Sequence, residues 1–501
     1  MKKIIVGAPI TISFSKKESA VDKYTVLKNI GYANYQIDAV KFFDANKGKA
    51  INADDMGLGK TAEDIGYGIV NKEIKPILII CPSQLKINWG REIEKWTHDT
   101  NFEIIEGVTP YKLSSCRWYI INYDILFDHR KTVIRRTAKR TIKELHGWFE
   151  TFQKMPLKLI IIDECHYLGN SKSDRTKAVK SLYKKLKNCG IIPTSGSPIL
   201  KRPLQFFPVL NLTAPNVFPS EWKYKMDFCD PTHNGFGWQF KGASNVKRLA
   251  RLIKPIMIRR MKSDAGIMDE LPPIRRILTP VEPDLSMLKK YNIRRDKLIG
   301  KVDILNKKQF DLEYSQIKKI AYEMKLKGVM VWIDDYIANG AKFIVFLHHV
   351  APIEALEKHF GASCTSIYGK HSAKQKQKNA DKFNDDPSCK LCIFQIKSAV
   401  GLNMVSAAAV GFLEFGDSSL EHCQAEDRIH RKGQRADKLF AFYFVTEGTD
   451  DIPMMNMLER EDKTVHKILS DNVKGKFFNG QVQDFNDGLI ELYKKRKNKH
   501  K

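Results

Sequence analysis

The chain has 501 residues, 43% of them apolar and 10% aromatic, and carries 84 Lys and Arg against 57 Asp and Glu, a formal charge of +27. That length exceeds one hydrophobic core, so roughly two to four structural units are expected, and the apolar share excludes a disordered chain. No run approaches the ~18 apolar residues of a membrane span. The N-terminus lacks the apolar core and small-residue cleavage site of a secretory signal, and nine scattered cysteines suit a reducing cytosol.

The positive excess points to a polyanionic partner, most simply nucleic acid. Basic residues gather at 131–143 (KTVIRRTAKRTIK), 184–187 (KKLK), 289–297 (KKYNIRRDK) and 494–501 (KKRKNKHK). One such cluster alone reads as a solvated face or loose tail. Four of them, with this net charge, read as a nucleic-acid footprint.

In chain order, the first chemical signal is ADDMGLGKT at residues 53–61, just after the apolar pair at 50–51. It approaches the phosphate-binding pattern G-x-x-x-x-G-K-[ST], with Asp54 where the first glycine belongs. Gly57 and Gly59, flanking Leu58, let backbone N–H groups turn inward around phosphate. Lys60 can reach the outer phosphates and Thr61 can hold Mg2+. Candidate strands follow at 76–81, 118–123, 158–164 and 190–195. Asp163 and Glu164, in IIIDECH, end the third of these, where a metal-coordinating and a water-orienting carboxylate belong.

Residues 280–340 are helical and charged in pattern, and a second strand series lies at 342–347, 364–368, 390–395, 410–415 and 439–445. Apolar runs of this length, bounded by turn residues and separated by helical patterns, read as parallel strands in βαβ units. The expected fold is therefore α/β, with two lobes joined by helices. The one C-x-x-C, Cys389 and Cys392, has no second pair and edges the apolar run LCIF, so it reads as buried thiols rather than a zinc site. In QAEDRIHRKGQ, residues 424–434, Arg428 and Arg431 share a helix face. As arginine fingers they would place charge from the second lobe on a γ-phosphate, so the site would be complete only when the lobes close.

Together, ADDMGLGKT, PILIICPSQLKINWGREIEKW, DECH, SGSPI, MIRRMKSD and QAEDRIHRKGQ resemble the ordered motif set of Swi/Snf-like ATPases in helicase superfamily two, which commonly have Asp at the position of Asp54. The annealing-helicase, fork-remodelling branch is the closer resemblance, carried by FCDPTHNGFGWQFKGASN (228–245), LPP (271–273) and KFIVFLHHVAPIEAL (342–356). The resemblance implies two RecA-like parallel-sheet lobes with helical insertions. Lobe 1 would span 1–275 with an insertion at about 205–260, a helical linker 276–338, lobe 2 339–455, and a helical extension with basic tail 456–501.

The resemblance also implies ATP and Mg2+ as cofactors. Gln36 would read adenine, while Gly57, Leu58, Gly59, Lys60 and Thr61 would hold the phosphates. Thr61 and Asp163 would bind the metal, Glu164 would be catalytic, and Gly401 and Gln424 would lie at the nucleotide beside the pair Arg428 and Arg431. SGSP at 195–198 resembles the motif that couples hydrolysis to DNA. Implied DNA contacts are Lys86, Asn88, Tyr123, His348, His349, Lys370, His371 and Ser398.

Two departures stand out. Leu168, Gly169 and Asn170 follow DECH without the family's usual middle lysine, and GDSSLEH at 416–422 lacks its usual Trp-Asn-Pro. The expected function is an ATP-dependent DNA translocase or helicase that remodels branched DNA by fork reversal, branch migration or annealing. The alternatives are a remodeller of protein–DNA complexes and a nucleic-acid binder with a vestigial ATPase. The short stretch ahead of Gln36 is expected to leave no room for an appended reader domain. The lean, Lys- and Ile-rich chain suggests a phage or prokaryotic source and a cytoplasmic location, or a nuclear one in a eukaryote.

Overall fold

Runs such as ILIIC and LIIID have no polar face to leave in water, so both faces must be covered, and that is the environment of a central parallel strand. The computed structural model describes residues 22–469 apart from 128, 135–139, 146, 200–201, 263, 265–270, 399–401, 417 and 432. In its first half lie β1 (Ile51–Asn52), β2 (Ile77–Cys81), β3 (Phe102–Ile104), β4 (Trp118–Asn122), the hairpin β5 (His129–Ile134) and β6 (Arg140–Leu145), β7 (Leu159–Asp163) and β8 (Gly190–Thr194). A second hairpin, β9 (Pro231–His233) and β10 (Trp238–Phe240), precedes β11 (Met257–Ile258). Seven of these strands form one parallel sheet in the order β11-β1-β8-β7-β2-β4-β3.

Strand alternation divides the core across this sheet. Leu78, Ile80, Ile160 and Ile162 face one hydrophobic layer, and Ile77, Ile79, Leu159 and Ile161 face the other. Between β8 and β11 stand the helices Phe207–Thr213, Glu221–Phe228 and Val246–Ile253, which pack Leu210, Tyr224, Phe228 and Leu249 onto the first layer.

The second sheet comprises β12 (Ile274–Pro280), β13 (Phe343–Leu347), β14 (Cys364–Ile367), β15 (Leu391–Gln395), β16 (Ala409–Phe412) and β17 (Leu439–Val445), in the order β12-β17-β16-β13-β15-β14. All its pairs are parallel. The fold is thus two parallel-sheet α/β lobes of the RecA-like kind. The nine expected strands form within a few residues of their expected places. Unforeseen strands are short, such as β1 and β11, or polar and half exposed, such as the edge strand β12.

Two long helices, Leu285–Lys301 and Lys307–Ala338, precede β13. Asp284 caps the first by accepting from Ser286 N at 2.9 Å and Met287 N at 3.1 Å, and Asn306 with Gln309 forms a reciprocal capping box on the second. Lys325 of the second helix is buried, donating to Phe444 O and Asp451 Oδ2, both at 2.9 Å, which fixes the helix to β17. The last described helix, Asp451–Leu469, joins the lobes: Met454, Met455 and Leu458 enter the second core, while Ile468 and Leu469 enter the first.

Candidate active site between the two sheets

The carboxyl ends of parallel strands are where ligands bind in open α/β sheets, and the expected motifs emerge there. After β1 the chain forms loop 53–59 and the helix Lys60–Val70. Gly57 and Gly59 adopt φ of 85° and 87°, a left-handed conformation that an L side chain resists. A Cβ on Gly59 would also stand 2.4 Å from Gln36 Nε2. Gln36 is buried with both ends of its amide engaged, accepting from Ala33 N and donating to Leu58 O, each at 3.1 Å. Lys60 Nζ donates to the carbonyls of Asp54 at 2.9 Å and Asp55 at 3.1 Å, and half-buried Thr61 follows it.

The unusual Asp54 is fully buried. Its carboxylate accepts from Arg260 N at 2.9 Å and Arg260 Nε at 2.8 Å, and also from Nη2. Arg260 further reaches Glu63 Oε1 at 3.1 Å and the Tyr35 carbonyl. Arg259 Nη1 donates to Ala53 O at 2.6 Å and Gly196 O at 2.7 Å. A pair of arginines after β11 therefore clamps the phosphate loop, and a glycine at 54 would remove the carboxylate that one of them needs. Behind the loop, Asn52 donates to Glu63 and Asp64, each at 3.0 Å, and Thr194 to Asp64 at 2.7 Å. Burial dominates at both acids, raising Glu63 and pushing Asp64 up to about 8.

At the end of β7, Asp163 accepts from Trp89 Nε1 at 2.8 Å and Glu164 N at 2.9 Å, and its carbonyl accepts from Tyr123 OH at 2.6 Å. Glu164 has φ of 52°, a left-handed conformation uncommon outside glycine. Its Oε2 accepts from Ser195 Oγ at 3.1 Å and lies 3.1 Å from His166 Nδ1, which is itself 3.0 Å from Ser195 Oγ. Burial and the neighbouring Glu164 charge raise Asp163. At Glu164 burial works in the same direction, but His166, Lys60 and Ser195 outweigh it and hold that carboxyl below its usual range.

From the second lobe, the helix Ser419–Glu426 and the turn after it bring the arginines. Arg428 donates to Gln424 O at 3.1 Å and Leu402 O at 3.0 Å, and Arg431 to Asp427 O at 3.0 Å. Burial and the like charge of Arg431 push Arg428 down to about 9, against the pull of Asp427 and, across the cleft, Glu164. Arg431 Cβ comes within 3.4 Å of where a Cβ on Gly57 would lie. Gln424 Nε2 is buried without a hydrogen-bond partner among the described residues. Gly401 lies outside the described residues.

Residues 35–330, more than half of the chain, match the model of the SNF2-related domain. The chain belongs to the SNF2-related family. Residues 326–433 of this SNF2-related chain match the helicase conserved C-terminal domain. Among its relatives, the DNA annealing helicase and endonuclease ZRANB3 of Bos taurus is 28% identical over 457 residues, covering 87% of this chain and 40% of the relative. The SWI/SNF-related matrix-associated actin-dependent regulator of chromatin subfamily A-like protein 1 of Xenopus laevis is 28% identical over 469 residues, covering 91% of this chain and 46% of the relative. The chain thus spans less than half the length of these two relatives. The solved Sulfolobus solfataricus SWI2/SNF2 ATPase core in complex with dsDNA aligns with 88% of this chain and 93% of its own, at 22% identity and a TM-score of 0.41.

The residues expected at DNA divide into three groups in this SNF2-related fold. His348 and His349 follow β13 and, with Gln395, Lys397 and Glu414, line a cavity of about 360 Å³ at the carboxyl edge of the second sheet. Their backbone N–H groups donate to Glu414 Oε2 at 2.7 and 2.9 Å, and the His349 ring pairs with the same carboxylate. Half-exposed Asn88 and His371 and exposed Lys370 form the second group; Lys370 is paired with Glu354 at 2.7 Å and the His371 ring lies 4.4 Å from Tyr368.

The third group faces inward. Lys86 donates to Ile105 O at 2.7 Å, and Ser398 is 6% exposed. Tyr123, at 1% exposure, stacks on Tyr167 and holds the Asp163 carbonyl, which makes it a support of the carboxylate site rather than a surface for DNA. Arg259, Arg260, Lys262 and Trp89 carry no individual role legible in the sequence; the motif MIRRMKSD is the signal for the first three.

Proposed function

We propose that the chain is a DNA-dependent ATPase that moves along DNA and remodels branches. The observation that carries the reading is the approach of the second lobe's arginine turn to the first lobe's glycine-rich loop: Arg431 Cβ lies 3.4 Å from where a Cβ on Gly57 would stand, and Arg428 lies within electrostatic reach of Glu164 at the end of β7. The donor set fits a magnesium nucleotide: a loop with two left-handed glycines at a helix N-terminus, a lysine, a hydroxyl and two partly buried carboxylates. Thr61 and Asp163 would hold Mg2+, which supplies positive charge to the phosphate oxygens.

The chain's own residues do the rest. Lys60 exchanges its carbonyl partners for the outer phosphates of ATP. Glu164, kept ionised by His166, Lys60 and Ser195, orients the attacking water and accepts its proton. Arg428 and Arg431 leave the carbonyls of Gln424, Leu402 and Asp427 to neutralise charge on the transferred phosphoryl group. Because the two halves of this set come from different sheets, hydrolysis is tied to lobe closure. Alternate gripping of the DNA backbone by the lobes then turns each cycle into a step.

A charge of +27 favours backbone tracking, which is blind to sequence and weakens with salt. Branch remodelling is supported by the relatives named as DNA annealing helicases and by energetics: exchanging pairs at a branch is nearly balanced, whereas opening plain duplex costs ~1–2 kcal/mol of stacking per step. ATP turnover measured with and without DNA tests the reading. Turnover that no DNA stimulates would end it.

A further inference from the structure

The segment after β11 contributes a third cation to the cleft. Lys262 Nζ lies 2.7 Å from Asp427 Oδ1 and donates to the His430 carbonyl at 2.6 Å, joining residues 165 apart in sequence and on different lobes. Lys262 and Asp427 are only 7% and 5% exposed. Asp427 is used twice: its carboxylate takes Lys262 and its carbonyl accepts from Arg431 Nε at 3.0 Å. The contact is made against the phosphate loop, since a Cβ on Gly57 would stand 3.2 Å from Lys262 Cε and 3.4 Å from Arg431 Cβ.

From this geometry we infer that Lys262 is a positioning residue for the arginine pair, a latch from the first lobe that seats the turn 427–431 against the phosphate loop. A buried ion pair adds little net stability, because desolvation offsets attraction, and its attested use is to select one arrangement over others. Here the selected arrangement is closure of the lobes with Arg431 at the loop. Lys262 points at protein acceptors, so it acts through Asp427 rather than on phosphate. The latch also accounts for glycine at 57, where a side chain would crowd both partners.

The catalytic part of this inference rests on the ATPase reading above; the lobe-docking part does not. The test uses the full chain with Lys262→Met, Asp427→Asn, the double variant, and the reversed pair Lys262→Asp with Asp427→Lys. Small-angle scattering of the nucleotide-free protein reads lobe separation, while turnover and fluorescent-nucleotide titration read kcat and affinity separately. Each single variant is expected to enlarge the radius of gyration. Each should also cut kcat by roughly 10- to 100-fold, the scale of a misplaced catalytic group, with nucleotide affinity changed by less than about threefold.

The double variant is expected to be no worse than either single, and the reversed pair to recover compactness. Additive losses, unchanged dimensions in every variant, or a loss confined to affinity would overturn the latch. If the single variants do not fold, the reversed pair alone decides, by compactness equal to wild type or not. If wild-type protein shows no turnover, the ATPase reading fails, and the scattering comparison still decides whether Lys262 docks the lobes.

Discussion

Arg260 donates to the carboxylate of Asp54 through its backbone N–H at 2.9 Å and its Nε at 2.8 Å, binding the segment after β11 to the residue that opens the phosphate loop. The carboxylate is wholly buried and the guanidinium partly so. Removing the carboxylate strips Arg260 of its main partner and leaves it Glu63 at 3.1 Å and the Tyr35 carbonyl; breaking a buried pair costs up to about 3–5 kcal/mol. Asp54→Ala and Asp54→Gly are both expected to destabilise the protein on that scale in denaturant unfolding, although glycine restores the common phosphate-loop pattern. A loss below about 1 kcal/mol, the range of an exposed pair, would contradict the assignment.

Hydrolysis should separate from DNA binding. Lys60→Ala removes the phosphate charge and Glu164→Gln removes the proton acceptor that Ser195 and His166 orient. Each is expected to leave less than about a tenth of wild-type ATP turnover while filter binding of DNA is retained, because the basic surface is untouched. Loss of DNA binding in both variants would place these residues in a different role.

Arg428→Ala and Arg431→Ala should lower kcat by roughly 10³-fold or more and change nucleotide affinity far less, since transition-state groups show that split. Single-turnover kinetics alongside nucleotide titration measures it. Equal losses in both quantities would make the arginines ground-state ligands.

Asp64 supplies a pH dependence. Burial raises its pKa from an ordinary 3.8 to about 8, so the folded state holds a proton that the unfolded chain releases. Its contribution to stability is therefore complete below the ordinary value and declines as pH climbs from about 4 to about 8. Asp64→Asn, which cannot ionise, should flatten that decline in thermal unfolding scans across the interval. An unchanged slope would contradict it.

The strands that build both sheets were legible because buried parallel strands need unbroken apolar runs, and 76–81, 159–162 and 343–347 are such runs. Strands β1 and β11 are two residues each and carry no periodicity to read. In the candidate site, local motifs located Lys60, Asp163, Glu164 and the arginine pair, since each lies in a short stretch whose residue types state a chemistry. What escaped was tertiary: Asp54 and Arg260 are 206 residues apart, and Lys262 and Asp427 are 165 apart. Nothing in WYIINY reveals that the hydroxyl of Tyr123, a DNA contact by resemblance, turns inward to the Asp163 carbonyl.

The most direct test of the central claim is a comparison of product formation and ATP turnover on forked, four-way, single-stranded and long unbranched duplex DNA under one salt condition. DNA-dependent turnover is expected, with branch migration or reannealing of the fork and junction and no processive unwinding of the unbranched duplex. Efficient unwinding of that duplex with the fork and junction left unchanged would contradict the claim.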